Sequence, residues 1–190
     1  MANPNISSFS LSHVGILDGG TAAEVADLYG VNEGSLELES DMYERTGDDR
    51  ILSTNRWITK GTVSFRSNYL PLDMLALLYG TPVVSGADGL TMQLWTEKGM
   101  NIKPRPVVVE APGEDHDGNP MSIRIVLYKV KFGQISFDQF MSYKEGLAIS
   151  LEGDALLSDS DELGAEFTDD LGARIGKIVA KSETTTVPEG

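Results

Sequence analysis

A chain of 190 residues can bury a core without covalent staples, and the absence of cysteine excludes disulfides and thiolate metal centres. The formal net charge of −14 leaves no basic footprint for reading a nucleic-acid groove and disfavours anionic membranes. The start, Met1-Ala2-Asn3-Pro4-Asn5, lacks the basic region and apolar core of a signal peptide. The most apolar run, Leu70 to Tyr79, is far shorter than the ~20 residues of a membrane helix, so a soluble protein of a cytosol-like compartment is expected.

Taken in order, Met1 to Ser10 is polar and reads as a flexible arm, covering residues 1–10. Val14-Gly15-Ile16-Leu17 is a short strand ended by Gly19-Gly20, and Thr21 to Gly30 reads as irregular or weakly helical. Leu36 and Leu38 alternate with Glu37, Glu39 and Asp41, which predicts a half-buried strand with an acidic outer face. Asp41 to Asn55 is polar, glycine-containing and rich in both charge signs, the composition of a long hairpin tip clear of the domain. Its charged residues include Glu44, Arg45, Asp48, Asp49 and Arg50. Trp57 to Asn68 returns as a strand with Ile58, Val63 and Phe65 as core positions, Thr62, Ser64 and Arg66 facing the other way, and Gly61 as a bulge position.

Leu70 to Tyr79 is the best helix. Pro71 suits its first turn, Gly80 its C-terminal cap, and Leu70, Met74, Leu77 and Leu78 make one apolar stripe. Strands follow at Thr91 to Lys98 and Val107 to Glu110, then a loop from Ala111 to Pro120. Met121 to Leu157 reads as three strands in succession, with Gly133 interrupting the first two and Lys144-Glu145-Gly146 connecting the last two. Arg124, Lys129, Lys131 and Lys144 concentrate basic charge in this stretch; a surface for an acidic partner copy and a solvated face both remain open for them. Residues 158–190 are acidic, with apolar residues near helical spacing but three interrupting glycines, each worth ~1 kcal/mol against helix. They are expected to form a marginal helix or partner-dependent arm ending in a disordered tail from Ser182. The fold class that results is mainly β: an antiparallel sandwich or barrel with one short flanking helix and a long hairpin loop.

No residue pattern gathers into a catalytic constellation, and no enzyme activity, cofactor or metal is expected. His13 and His116 are far apart and no nucleophile elbow is present. Glu114 to Asn119 superficially resembles a calcium loop, but Pro120 stands where the pattern needs glycine. No pair of carboxylates stands out for glycosidase chemistry. Trp57 and Trp95 are core or interface anchors, with a sugar-stacking platform as the rival reading and a carbohydrate-binding sandwich as the corresponding alternative function.

The order of strand Gly34 to Asp41, charged hairpin Asp41 to Asn55, return strand Trp57 to Asn68, helix Leu70 to Tyr79, and a late strand pair closing with Glu145 to Gly153 resembles the major tail tube proteins of long-tailed, non-contractile phages. The likeness covers about residues 11–157, the expected tube-like domain, and the fold is shared with secretion-system tubes, which remain an alternative. The resemblance implies a structural subunit that self-assembles into stacked hexameric rings in the virion tail, built in the host cytoplasm. It further implies contact with tape measure, tail terminator and distal tail proteins, with DNA present only as transported cargo and no membrane. In that family neighbouring sheets join into an inner barrel and the long hairpin reaches the adjacent ring, which gives Glu44, Arg45, Asp48, Asp49 and Arg50 an inter-ring role. An acidic lumen would repel phosphates, and Glu37, Glu39 and Asp41 are its candidates; outward solvent is the equal alternative for them.

Overall fold

The computed structural model describes residues 6–9, 13–17, 19, 24–28, 30–47, 50–69, 72–79, 81–87, 89–92, 103–115, 117–138 and 148–182. Among these are eleven strands: β1 (Ile6–Phe9), β2 (His13–Leu17), β3 (Glu24–Asp27), β4 (Val31–Gly47), β5 (Arg50–Ser67), β6 (Val83–Gly86), β7 (Gly89–Met92), β8 (Arg105–Asp115), β9 (Pro120–Asp138), β10 (Ala148–Leu156) and β11 (Gly176–Ser182). The helix α1 (Leu72–Tyr79) lies between β5 and β6. No described helix is long and apolar enough to cross a membrane.

Nine strands form one antiparallel sheet in the order β3-β2-β8-β9-β10-β5-β4, with β1 added on β8 and β11 on β9. Among the described strands β6 and β7 pair only with each other. The large sheet folds over a single core. Val14 and Ile16 from β2, Val107 from β8 and Val130 and Phe132 from β9 meet Val63 and Phe65 from β5 and Leu151 and Ala155 from β10. This makes the fold mainly antiparallel β, sandwich- or barrel-like, as expected. Helix α1 closes the core with Met74, Leu75 and Leu78. A helix of two turns is marginal alone, so this packing stabilises it.

A second, smaller cluster lies on the other face of β8 and β9: Leu17, Val108, Val126 and Tyr128, with Phe167 packed against it. The central strands are therefore buried on both sides. That explains the unbroken apolar runs Val107-Val108-Val109 and Val126-Leu127-Tyr128, which an alternating strand would not tolerate.

β9 is the axis of the fold. One edge pairs with β8 along most of its length. The other pairs with β11 through Met121–Leu127 and then with β10 through Val130–Asp138. Two bulges keep its core face coherent. Val107 faces Leu127 whereas Arg105 faces Val130, so β9 carries one extra residue there and its side-chain parity flips. Glu152 then faces Gln134 and Gly153 faces Phe132, which leaves Gly133 as a second extra residue. Gly133 thus interrupts the alternation as expected, but it bends one continuous strand rather than separating two. The rest of the expected second run, residues 139–143, lies outside the described residues.

Other expectations are corrected. Residues 6–9 form a strand because β8 extends to Asp115 and offers Ile6–Phe9 an edge. The Thr21 to Gly30 region holds β3, paired to β2, so tertiary pairing overrides its weak helical pattern. The expected loop Ala111 to Pro120 is mostly strand; its turn is held by the Asp115 carboxylate, which accepts hydrogen bonds from the Asp117 and Asn119 backbone N–H groups and from Asn119 Nδ2. The segment from Ser158 contains no helix among its described residues. It crosses the outer face of β9 as a loop and returns as β11. Its glycines explain this: Gly164 and Gly172 adopt positive φ in turns. Pro71, Gly80, Trp95, His116 and Ser182's following residues lie outside the described set.

Candidate assembly surfaces

Three surface features converge on β4 and β5. The first is a free edge. β4 has 17 residues and pairs with β5 alone among the described strands. From Asn32 to Met42 both of its faces are exposed. Leu36 is 39% exposed and Leu38 52%, which corrects the expectation of a half-buried strand. The cause is position: a terminal strand with no neighbour cannot bury its inner face fully. Ile58, expected in the core, is exposed because it lies beyond Lys60, where β10 stops pairing with β5, and Trp57 is 49% exposed rather than a core anchor. Gly61 is not the bulge itself, which falls at Thr59, where Glu39 faces Lys60 and Ser40 faces Ile58. Instead a side chain at Gly61 would meet Leu36 and Leu38, so glycine lets these leucines lie close to β5.

The second feature is a polar face. On the side away from the core, rows run straight across β4, β5, β10 and β9. Glu33 is 3.9 Å from Arg66, and the Ser35 and Ser64 hydroxyls are 2.9 Å apart. Glu37 pairs with Thr62, Thr62 with Asp154, and Asp154 with Lys131. Lys60 Nζ lies 3.2 Å from Glu39 and 3.8 Å from Asp154. Each exposed ion pair contributes only ~0.2–1 kcal/mol, so this face sets surface potential more than stability. Glu33, Glu37, Glu39, Glu152 and Asp154 outnumber Lys60, Arg66 and Lys131, leaving the face mixed in sign with an acidic excess.

Glu37 and Glu39 therefore share one face as their alternation suggested. Asp41 continues the same alternation, because the extra residue, Thr59, is on β5; the bulge sets Trp57 beside Asp41 where Lys60 stands beside Glu39. Arg66 lies on the non-core face as its alternation with Val63 and Phe65 suggested, whereas Lys60, Glu152 and Asp154 were not singled out from the sequence, although their period-two spacing on β5 and β10 was there to read. The three described basic residues, Arg124, Lys129 and Lys131, form no single patch. Arg124 Nε lies 3.4 Å from Glu110, and His13 and Asp27 extend that polar row across β8, β2 and β3, with His13 Nε2 3.1 Å from Asp27. Lys131, seven residues along β9 and roughly 23 Å away, belongs to the polar face. Lys129 is exposed at the first bulge, and Lys144 lies outside the described residues.

The third feature is a projecting ribbon. β10 stops pairing with β5 at Lys60, but β4 and β5 continue together to Gly47 and Arg50. The expected hairpin is thus a paired two-stranded ribbon rather than a loop, reaching roughly 26 Å past Glu39. Glu44, Arg45 and Arg50 are on it; Asp48 and Asp49 lie at its tip, outside the described residues.

The C-terminal crossing is built around Phe167. Its ring centroid is 5.3 Å from that of Tyr128, and the Arg174 guanidinium sits 4.3 Å from the ring on its face. Arg174 also pairs with Asp169, and Lys177 with Glu162. The Arg174 hydrogen bond holds the Asp169 carboxyl below the usual range, and burial pushes the Tyr128 hydroxyl above its ordinary value. Among the described residues no cluster of His, Asp and Glu is arranged to hold a metal ion.

No family model matches the chain, and no curated protein matches it. One solved structure, the cryo-EM structure of the anti-feeding prophage cap (AFP tube terminating cap), is similar over 96% of this chain and 94% of that one, with a TM-score of 0.43 and 8% identity.

Proposed function

We propose that this chain is a structural, non-enzymatic subunit that joins copies of itself side by side into rings, and that the rings stack into a tail tube. The observation that carries the reading is β4: a 17-residue edge strand, exposed on both faces from Asn32 to Met42 and paired on one side only among the described strands. Long, flat, exposed edges invite uncontrolled pairing, and monomeric proteins blunt them. Here neither proline nor a covering element does so among the described residues. A ring removes the liability, because each edge meets the next subunit and the last closes on the first. Hexameric closure, a virion-tail location and contact with tape measure, terminator and distal tail proteins belong to the same proposal.

In this reading the polar face of β4, β5, β10 and β9 lines the bore. Its acidic excess repels DNA phosphates, while its matched ion pairs leave few bare cations to hold them. Glu37 and Glu39 then face the passing genome, and the β4–β5 ribbon reaches the neighbouring ring. Negative-stain microscopy of the purified protein, with and without a tail-tip nucleator, tests this. Stacked rings with an open centre are expected. Persistent monomers across concentration, salt and nucleator would overturn it.

A further inference from the structure

An apolar groove of about 810 Å³ opens between β4 and β5 on one side and the crossing loop and β11 on the other. Leu38, Trp57 and Ile58 line the β4–β5 side, Leu157 lies beside them at the end of β10, and Leu171 and Ile178 line the other side. These six side chains are between 38% and 78% exposed. At ~150 Å² for a large apolar residue their exposed parts, inside the groove and around it, sum to roughly 500 Å², of the order of the ~800 Å² that one side of a standard protein interface buries. The cations at its rim, Arg174 and Lys177, are already paired with Asp169 and Glu162. The groove therefore selects an apolar occupant.

Two such grooves placed face to face would enclose a void, because both are concave. A convex apolar element is needed, and β6 with β7 supplies one. This hairpin pairs with no other described strand, and isolated two-stranded hairpins are only marginally stable. Val84 faces Thr91 and Ser85 faces Leu90, so Val84 and Leu90 point to opposite faces, and each is 60% exposed. The hairpin is a wedge with apolar side chains on both faces, matched to a groove with two apolar walls.

We infer that the β6–β7 hairpin of a second copy of this chain seats in the groove, beside the free edge of β4. The contact is heterologous, with different surfaces meeting, so it propagates around a ring rather than stopping at a pair. The inference rests on the proposal that copies associate, and it names the surfaces through which they do so.

The chain has no cysteine, so L38C and L90C each introduce a single thiol at an exposed position. The two variants, checked for wild-type melting behaviour, are treated with a short bis-maleimide separately and as an equal mixture. The mixture is expected to give cross-linked dimer at several times the yield of either variant alone. Equal or greater self-linking of L38C would mean grooves meet face to face and would overturn the inference, as would assemblies that form with no mixed product. In a second arm, V84S/L90S is expected to weaken association at least tenfold in sedimentation equilibrium; unchanged association overturns the hairpin's role. Mixed cross-links without ring images would leave the docking intact and remove the tube reading, whereas rings without mixed cross-links would do the reverse.

Discussion

Replacing Phe167 with alanine should loosen the C-terminal crossing from the sheet. The ring is mostly buried against the Tyr128 cluster. Full burial of a phenylalanine is worth ~1.5–3 kcal/mol, and partial exposure places this ring near the lower end. Its tilted contact with Tyr128, at 5.3 Å, adds ~1 kcal/mol. The Arg174 guanidinium at 4.3 Å adds ~0.5 kcal/mol at a site this open to water. The total is about 3 kcal/mol, or a fall in Tm of roughly 6–12 °C for a chain of this size. Chemical denaturation monitored by circular dichroism gives the first quantity and calorimetry the second. Hydrogen exchange should also quicken in β11, which depends on the crossing to reach β9. A loss below ~0.5 kcal/mol with unchanged exchange in β11 would mean that the segment is a loose arm and not part of the fold.

The glycines give a contrast: G153A should destabilise by ~2 kcal/mol and G133A by almost nothing in the same melts. A Cβ at Gly153 would lie 2.9 Å from the Lys131 carbonyl and from the Phe132 Cα, whereas one at Gly133 meets nothing within 4 Å, and equal effects would refute the assigned bulge. The Tyr128 hydroxyl is held above its ordinary value by burial, so the folded state resists ionisation and its stability declines as pH rises past 10.0. Alkaline unfolding followed by tyrosinate absorbance should shift upward in Y128F; an unchanged profile contradicts this. Asp169 shows the opposite sign: its folded value is lowered, so its contribution is present above the unfolded carboxylate range and is lost as pH falls through the folded value. D169N should remove that acid dependence, measured as the slope of Tm against pH. Deleting Glu44 to Ser53 should leave the domain's melting unchanged and block ring stacking in micrographs; tubes at normal yield would show that the ribbon does not join rings.

Much of the fold was legible because its elements carry local signals. Val63, Phe65, Thr62, Ser64 and Arg66 alternate as a two-faced strand must, and helix α1 shows its apolar stripe. Residues that depend on distant partners were not legible. Thr21 to Gly30 becomes strand because β2 offers an edge, and the crossing after Ser158 becomes β11 because half of β9 has no other neighbour on that side. Apolar residues at helical spacing, such as Leu163, Phe167 and Leu171, imitate a helix that their intervening glycines prevent. The surfaces divide likewise. Glu37 and Glu39 could be placed on one face from their spacing alone. The bulges at Thr59 and in β9 could not be read, and they set Trp57 beside Asp41 and carry Lys131 onto the polar face. The groove joins residues more than a hundred positions apart, so no local pattern announces it.

Amide hydrogen exchange along β4, compared between monomer and assembled protein, tests the edge-pairing claim most directly. The outward N–H groups of residues 31–41 should exchange within seconds to minutes in the monomer and become strongly protected on assembly. Tubes that form while those amides keep exchanging at the monomer rate would contradict assembly through the β4 edge.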